Sequence, residues 1–241
     1  MSGAAHARWT VGVIIPARNE EGTIEDCLSS VMLALEGSVC VRDSWTVVVC
    51  DSCTDGTARR ARRTLGSAGE ILECAVGSAG SARRIGAEAV ARHFVGVSSR
   101  EVWLANTDAD TSVSPDWITK QLSFAGSGWA AVAGIVRLQP GEGTDARVAE
   151  VFRDYQIDDD GTHCHVHGAN IGFRSDAYHS AGGWGDKALA EDHCLWRRLG
   201  ERCWPRLATA AVVVTTSGRL VGRAIGGFAD TLRAQVALRF A

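Results

Sequence analysis

Asp108 and Asp110 stand one residue apart in the polar run Asn106–Thr111, just after the apolar stretch Glu101–Ala105. The stretch reads as a buried strand and the run as the loop at its C-terminal end. Two carboxylates on a loop leaving a parallel strand can hold a hard divalent cation and a diphosphate together. Such a pair is common in loops, so its weight depends on what accompanies it along the chain.

The accompanying elements repeat one pattern. Val11–Ile15 is a β-branched apolar run that ends at Pro16–Glu21, and Ile24, Cys27, Leu28, Val31 and Leu35 then recur at helical spacing. Thr46–Cys50 is a second strand, closing on the polar loop Asp51–Thr57, and a basic helix follows from Ala58 to about Leu65. Strand, polar loop and helix in repetition predict βαβ units and a parallel sheet. Ligands of such sheets bind beyond the carboxyl ends of the strands, where these loops fall.

These residues resemble a family 2 glycosyltransferase with the GT-A fold, an inverting class that uses nucleotide sugars. Ile14–Glu21 resembles the opening strand and loop, Cys50–Thr57 the second-strand loop, and Ala82–Gly86 the start of a helix bearing a family arginine. Asp108 and Asp110 match the family's metal motif, Glu191 and Asp192 its catalytic carboxylate pair, and Gly168–Arg174 with Gly182–Trp184 the segment between. The resemblance covers roughly residues 11–200. It implies an α/β fold with a mostly parallel central sheet flanked by helices and a smaller antiparallel sheet. One domain over residues 1–241 is expected, with a nucleotide-binding half over about 11–110 and an acceptor-binding half with a C-terminal helix over about 111–241.

The resemblance also assigns roles. Asp110 would contact Mg²⁺ or Mn²⁺ directly, and Asp108 would face the ribose or donor sugar and share the ion through water. Asp192 would be the general base that takes a proton from the acceptor hydroxyl. Leu195, Trp196 and Leu199 follow it at helical spacing, which puts it near a helix N-terminus whose dipole stabilises a carboxylate. Pro16, Ala17, Arg18, Glu20 and Asp51 would line the nucleoside, and Arg83 would meet the base or the phosphates. Asn170, Trp184 and Glu191 are the expected acceptor contacts, Trp184 by stacking on a sugar ring. Two departures bear on the donor: Cys50 replaces the usual aspartate beside Asp51, and Arg84 replaces an asparagine. Asp55 reads as turn chemistry rather than a ligand contact. The run Val212–Ser217 lacks the histidine that completes the metal shell in some relatives.

Composition agrees with an enzyme domain. A formal net charge of −3 gives no reason to expect general nucleic-acid binding. No apolar stretch is long enough to span a bilayer, and the N-terminus lacks the order of a signal peptide, so a cytoplasmic location is expected. The eight cysteines then read as reduced thiols, with Cys50, Cys74 and Cys203 among those at buried positions. Cys50 and Cys53 have the spacing of a redox pair but lack a thioredoxin-like context. His163, His165 and His167 alternate, so on a strand their rings would share a face, with Cys164 opposite. Zinc binding is one reading of that trio; a strand bordering the acceptor site is the preferred one. Asp158–Asp160 reads as a solvated turn. Near the C-terminus Ile225, Phe228, Leu232, Val236 and Phe240 form an apolar stripe with arginines around it. It is expected to close over the domain, the alternatives being peripheral contact to an anionic membrane and, from the resemblance, an approach of Arg219 or Arg223 to the donor diphosphate.

The expected reaction is therefore transfer of one sugar, hexosyltransferase-like, from a UDP- or GDP-type donor to a hydroxyl acceptor. The Gln-x-x-Arg-Trp signature of processive synthases is missing, which favours single addition. A nucleotidyltransferase would normally carry a Gly-rich basic loop after its first strand, where Pro16–Glu21 stands instead. A non-catalytic nucleotide-sugar-binding protein on the same fold is the other alternative.

Overall fold

The structure is a computed structural model, and it describes residues 9–139, 157–185 and 190–217. The C-terminal stripe lies outside the described residues. In chain order the elements are β1 (Trp9–Ala17), α1 (Ile24–Glu36), β2 (Val41–Asp51), α2 (Thr57–Leu65), β3 (Gly69–Cys74), α3 (Ala79–His93), β4 (Val102–Asn106) and β5 (Thr111–Val113). Then come α4 (Trp117–Gly126), β6 (Ala131–Leu138), a single 3₁₀ turn (Gly168–Asn170), β7 (Ile171–Arg174), α5 (Ser175–Ser180), α6 (Glu191–Glu201) and β8 (Arg206–Thr216).

The strands form one sheet in the order β3-β2-β1-β4-β7-β6-β8-β5. The first four are mutually parallel, as the repeated strand–helix pattern requires. Beyond β4 the sheet turns antiparallel at β7, β7 pairs antiparallel with β6, and β6 runs parallel to β8. The antiparallel part therefore continues the parallel one without a break. The chain reverses its winding direction between β1 and β4, and a crevice forms at such a point because the flanking connections leave to opposite sides.

Alternation along β1 builds two cores. Val11, Val13 and Ile15 pack with Ile24, Leu28 and Val31 of α1, Ala61 of α2, and Trp117 and Ile118 of α4. Ile14 points the other way, against Ala82, Ala87 and Val90 of α3 and Leu195 and Leu199 of α6. With both faces covered, β1 is buried along nearly its whole length, and Val11–Ile15 carries no polar side chain. Among the described residues no helix is long and apolar enough to cross a membrane.

Asn170 ties α4 to β6 and β8. Its side chain is fully buried; Oδ1 accepts from Trp117 Nε1 at 3.0 Å, and Nδ2 donates to the carbonyls of Ile135 at 2.8 Å and Val212 at 3.1 Å. Those carbonyls lie where the β6–β8 ladder shifts register and loses regular pairing, so the asparagine satisfies backbone that the ladder cannot. Both polar atoms of the amide expected at the acceptor are thus engaged inside the protein. Asn170→Ala should cost about 3 kcal/mol or more, since three buried partners lose their bonds at once. A denaturant titration would show this as a lower midpoint.

Candidate active site

The loops leaving β1, β2 and β3 are stitched together at one edge of the sheet. Asn19 Oδ1 accepts from the Thr54 backbone at 2.8 Å, the Cys53 thiol donates to the Ala17 carbonyl at 3.4 Å, and Glu20 N donates to Thr57 Oγ1 at 2.8 Å. Asp51 is buried at the end of β2, where its Oδ1 accepts from Val76 N at 2.8 Å and Gly77 N at 3.1 Å. Its Oδ2 finds no partner among the described residues. Asp55 accepts from the backbone of Thr57 and Glu21, as turn chemistry predicts. Pro16 and Arg18 are half-buried on this edge, while Ala17 and Glu20 are buried, with Glu20 accepting from Thr23 Oγ1 at 2.9 Å. Asn19 and Ser52 have φ of 54° and 56°, left-handed backbone that these cross-loop bonds hold in place.

Asp108 and Asp110 follow β4 on the same edge, both half-buried, with Ala109 buried between them. They face different surroundings. Asp108 Oδ1 accepts from Arg83 Nη2 at 2.6 Å. Asp110 Oδ1 accepts from Thr216 Oγ1 at 3.3 Å, and its carbonyl from Ser217 N at 3.2 Å. β8 thus ends against the acidic loop through its pairing with β5, Thr111 opposite Thr216. Thr216 is a site residue that sequence reading missed; nothing local marks it, because its place is set by a strand pairing across 105 residues.

Glu191 and Asp192 open α6, as expected, and diverge. Glu191 Oε1 accepts from Arg83 Nη1 at 2.8 Å. Asp192 Oδ2 accepts from Gly168 N at 3.0 Å, and Oδ1 from His193 N at 2.7 Å. Ala190 ahead of them has φ 56°, a left-handed residue that redirects the chain into the helix. One guanidinium therefore joins the two acidic motifs. Arg83 is 3% exposed and lies 5.2 Å over the Trp184 ring. Burial works against its charge, but Asp108, Glu191 and Asp192 outweigh that and hold it above its ordinary value.

The same packing encloses two residues expected at the substrates, Trp184 and Arg83. Trp184 is 1% exposed, held edge-on by Phe173 with ring centroids 5.7 Å apart, so it carries Arg83 and presents no face to a sugar. Arg83 points its Nη atoms into the carboxylates of Glu191 and Asp108. Glycine is required at Gly168, where a Cβ would stand 2.5 Å from Arg83 Nη2.

The histidine trio occupies an extended segment with two isolated bridges rather than a regular strand. Its rings follow one another as expected, with centroids 5.9 Å apart for His163 and His165 and 6.2 Å for His165 and His167. Cys164 is exposed. No group of three His, Cys, Asp or Glu among the described residues is placed to hold a metal ion. A divalent ion at Asp108 and Asp110 would have to complete its shell with diphosphate oxygens and water. Mg²⁺ and Mn²⁺ bind nucleotides in that manner, so the hard carboxylate donors present fit such an ion. Of the cysteines expected to be buried, Cys50 is; Cys74 is half-buried, and Cys203 is exposed on the turn after α6. Burial pushes the Cys50 thiol up to about 12, with Cys53 beside it, which makes it a poor nucleophile. Asp158–Asp160 is exposed, in keeping with a solvated turn.

Burial pushes the His167 imidazole down to about 4 although Asp192 pulls it the other way, and burial lowers His163 and His165 as well. Below the ordinary histidine value near 6.5 the unfolded chain takes a proton that folded His167 refuses. Stability is therefore complete above about pH 6.5, falls as the pH drops toward 4, and levels off below. His167→Asn should remove about 3 kcal/mol of that fall, read from unfolding midpoints between pH 4 and pH 7.

Comparison with known proteins places this geometry. The chain matches the family described as glycosyl transferase family 2 over residues 12–181. A search of curated protein sequences returned no match. Among solved structures the chain is similar to the mannosyltransferase PcManGT from Pyrobaculum calidifontis, in complex with GDP-Man and Mn²⁺. The TM-score is 0.68 at 19% identity, covering 97% of this chain and 62% of that one. It is also similar to TarS of S. aureus, with a TM-score of 0.63 at 13% identity, covering 86% of this chain and 36% of that one. For TarS 1-349 in complex with UDP-GlcNAc the TM-score is 0.63 at 12% identity, with 95% and 66% covered. The chain thus spans less than two thirds of PcManGT and little more than a third of TarS. The likeness at these identities concerns the fold, and that fold is GT-A, as expected from the sequence. Since the family match extends over more than half of the chain, including the loop that carries Asp108 and Asp110, the protein belongs to glycosyl transferase family 2.

Proposed function

We propose that the chain is one catalytic domain that transfers a single sugar from a nucleoside-diphosphate-sugar to a hydroxyl acceptor with inversion. The observation that carries this reading is that two acidic motifs from distant parts of the chain meet through Arg83. Family membership supports glycosyl transfer as the chemistry. The structures with GDP-Man and Mn²⁺ and with UDP-GlcNAc support a nucleotide-sugar donor of the GDP or UDP type.

In this reading the stitched loops after β1, β2 and β3 receive the nucleoside, with Asp51 Oδ2 reading the base edge. The diphosphate lies toward the loop after β4. Asp110, with Asp108 beside it, would hold Mg²⁺ or Mn²⁺. When bound, such an ion offsets the negative charge that develops on the departing diphosphate. Across the crevice Asp192 accepts the proton of the attacking hydroxyl. Hydrogen bonds from Gly168 N and His193 N fix the orientation of its carboxylate, so little reorganisation is needed as the proton moves. Attack from the side opposite the leaving group gives inversion.

Asp192→Asn keeps the shape of the base and removes its proton affinity. Transfer should fall by about 1,000-fold or more, while the nucleoside diphosphate binds within about threefold of wild type. Asp110→Asn should weaken binding of UDP or GDP in the presence of Mn²⁺ as well. Release of nucleoside diphosphate from UDP- and GDP-sugars, measured with and without EDTA, tests the whole reading. Pyrophosphate as the product would mean a nucleotidyltransferase instead. Equal transfer by wild type and Asp192→Asn would remove the base assignment.

A further inference from the structure

We infer that Arg83 is a positioning residue that couples occupancy of the donor site to placement of the base, acting through Glu191 and not by touching the substrate. The inference rests on the reading of Asp192 as the base. Arg83 projects from α3 and is enclosed, with the Trp184 ring at 5.2 Å and Gly168 so close that no Cβ fits between them. Trp184 is itself fixed: Tyr178 Oη accepts from its backbone N–H at 3.1 Å, and Arg198 of α6 donates to the carbonyls of Ala181 and Gly183 just before it. The guanidinium therefore has one place to be.

From that place it divides a single positive charge between two carboxylates of different elements. Asp108 belongs to the loop after β4, where a donor diphosphate and its cation would arrive. Glu191 belongs to the first turn of α6, one residue before Asp192. The turn is entered through a left-handed Ala190, a strained conformation that needs outside contacts to persist. Glu191 supplies one of these from its side toward Arg83, and α3 yields to it: a Cβ on Gly80 would meet Glu191 Cγ at 3.0 Å. Holding Glu191 fixes the rotation of the turn, and with it the direction of Asp192 toward Gly168. A charged ligand that engages Asp108 changes how much of the guanidinium's field remains for Glu191, because the charge is buried and weakly screened. Donor binding and base placement are then parts of one electrostatic balance.

The test compares wild type with Glu191→Gln, which removes one partner's charge at constant shape, and with Arg83→Lys, which keeps the charge and loses the fork. Amide hydrogen exchange of the segment around residues 190–199 is followed with and without UDP or GDP plus Mn²⁺, alongside nucleotide affinity and turnover. In wild type the effective nucleotide should slow exchange at the start of α6 by about fivefold or more, and in Glu191→Gln it should leave that exchange unchanged. Nucleotide affinity of Glu191→Gln should stay within about threefold of wild type while kcat falls by about 30-fold at nearly constant acceptor KM. A role in stability alone would not separate these readouts. The inference is overturned if Glu191→Gln retains nucleotide-dependent protection, or if wild type shows none with either nucleotide. It is also overturned if Arg83→Lys loses more than about tenfold in nucleotide affinity while Glu191→Gln does not, which would make Arg83 a direct ligand. Should Arg83→Lys fail to fold, Glu191→Gln carries the test alone. Protection without any sugar transfer by wild type would remove the transferase reading and leave the coupling. Transfer by wild type with Glu191→Gln unaltered would do the reverse.

Discussion

A guanidinium that is 3% exposed keeps its charge inside a protein only if carboxylates surround it, and those carboxylates must then come to where it is. Arg83 imposes this condition on the whole site. It recruits Asp108 from the loop after β4 and Glu191 from the first turn of α6, two places 83 residues apart in sequence. Around it the packing is correspondingly tight. Trp184 lies along it, Gly168 leaves room for it, and the turn holding Trp184 is secured by Arg198 from the same helix that bears Glu191. Breaking a pair of this kind leaves an uncompensated buried charge, which is far more costly than never having built the pair.

The rest of the crevice is prepared by bonds among loops. Backbone groups that leave the ends of parallel strands have no ladder partner, and here neighbouring loops satisfy one another: Asn19 with Thr54, Ala17 with Cys53, and Asp51 with Val76 and Gly77. Three of the four non-glycine residues with left-handed backbone among the described residues lie here or at the head of α6. Each costs about 1–3 kcal/mol, which the cross-loop bonds offset. The result is a set of dipoles and carboxylates aligned without the help of a ligand, the condition under which electrostatic stabilisation of developing charge is most effective.

Much of the architecture was legible from local pattern. Runs such as Val11–Ile15 and Thr46–Cys50, each followed by a polar loop and a helical pattern, predict a parallel sheet, and β1 and β2 pair in parallel. The acidic pairs were legible because strand and helix signals flank them closely. Burial is what local pattern does not record. Asn170 and Trp184 are polar and aromatic groups of the kind that meet a sugar, yet both serve the interior. Neither periodicity nor spacing distinguishes an asparagine that binds a ligand from one that patches an irregular ladder.

The sequence by itself determined the apolar runs that became β1 and the end of β2, the polar loops at the strand ends, and the spacing of Asp108 with Asp110 and Glu191 with Asp192. These depend on neighbours within a few residues, where sterics and periodicity act directly. The tertiary structure alone decided that β8 ends beside Asp110, that Asn170 is spent on Ile135 and Val212, and that Arg83 faces inward to join both acidic motifs. Each of these is a contact between distant parts of the chain. Such contacts are selected by burial and charge compensation in the packed protein, and no local signal records them.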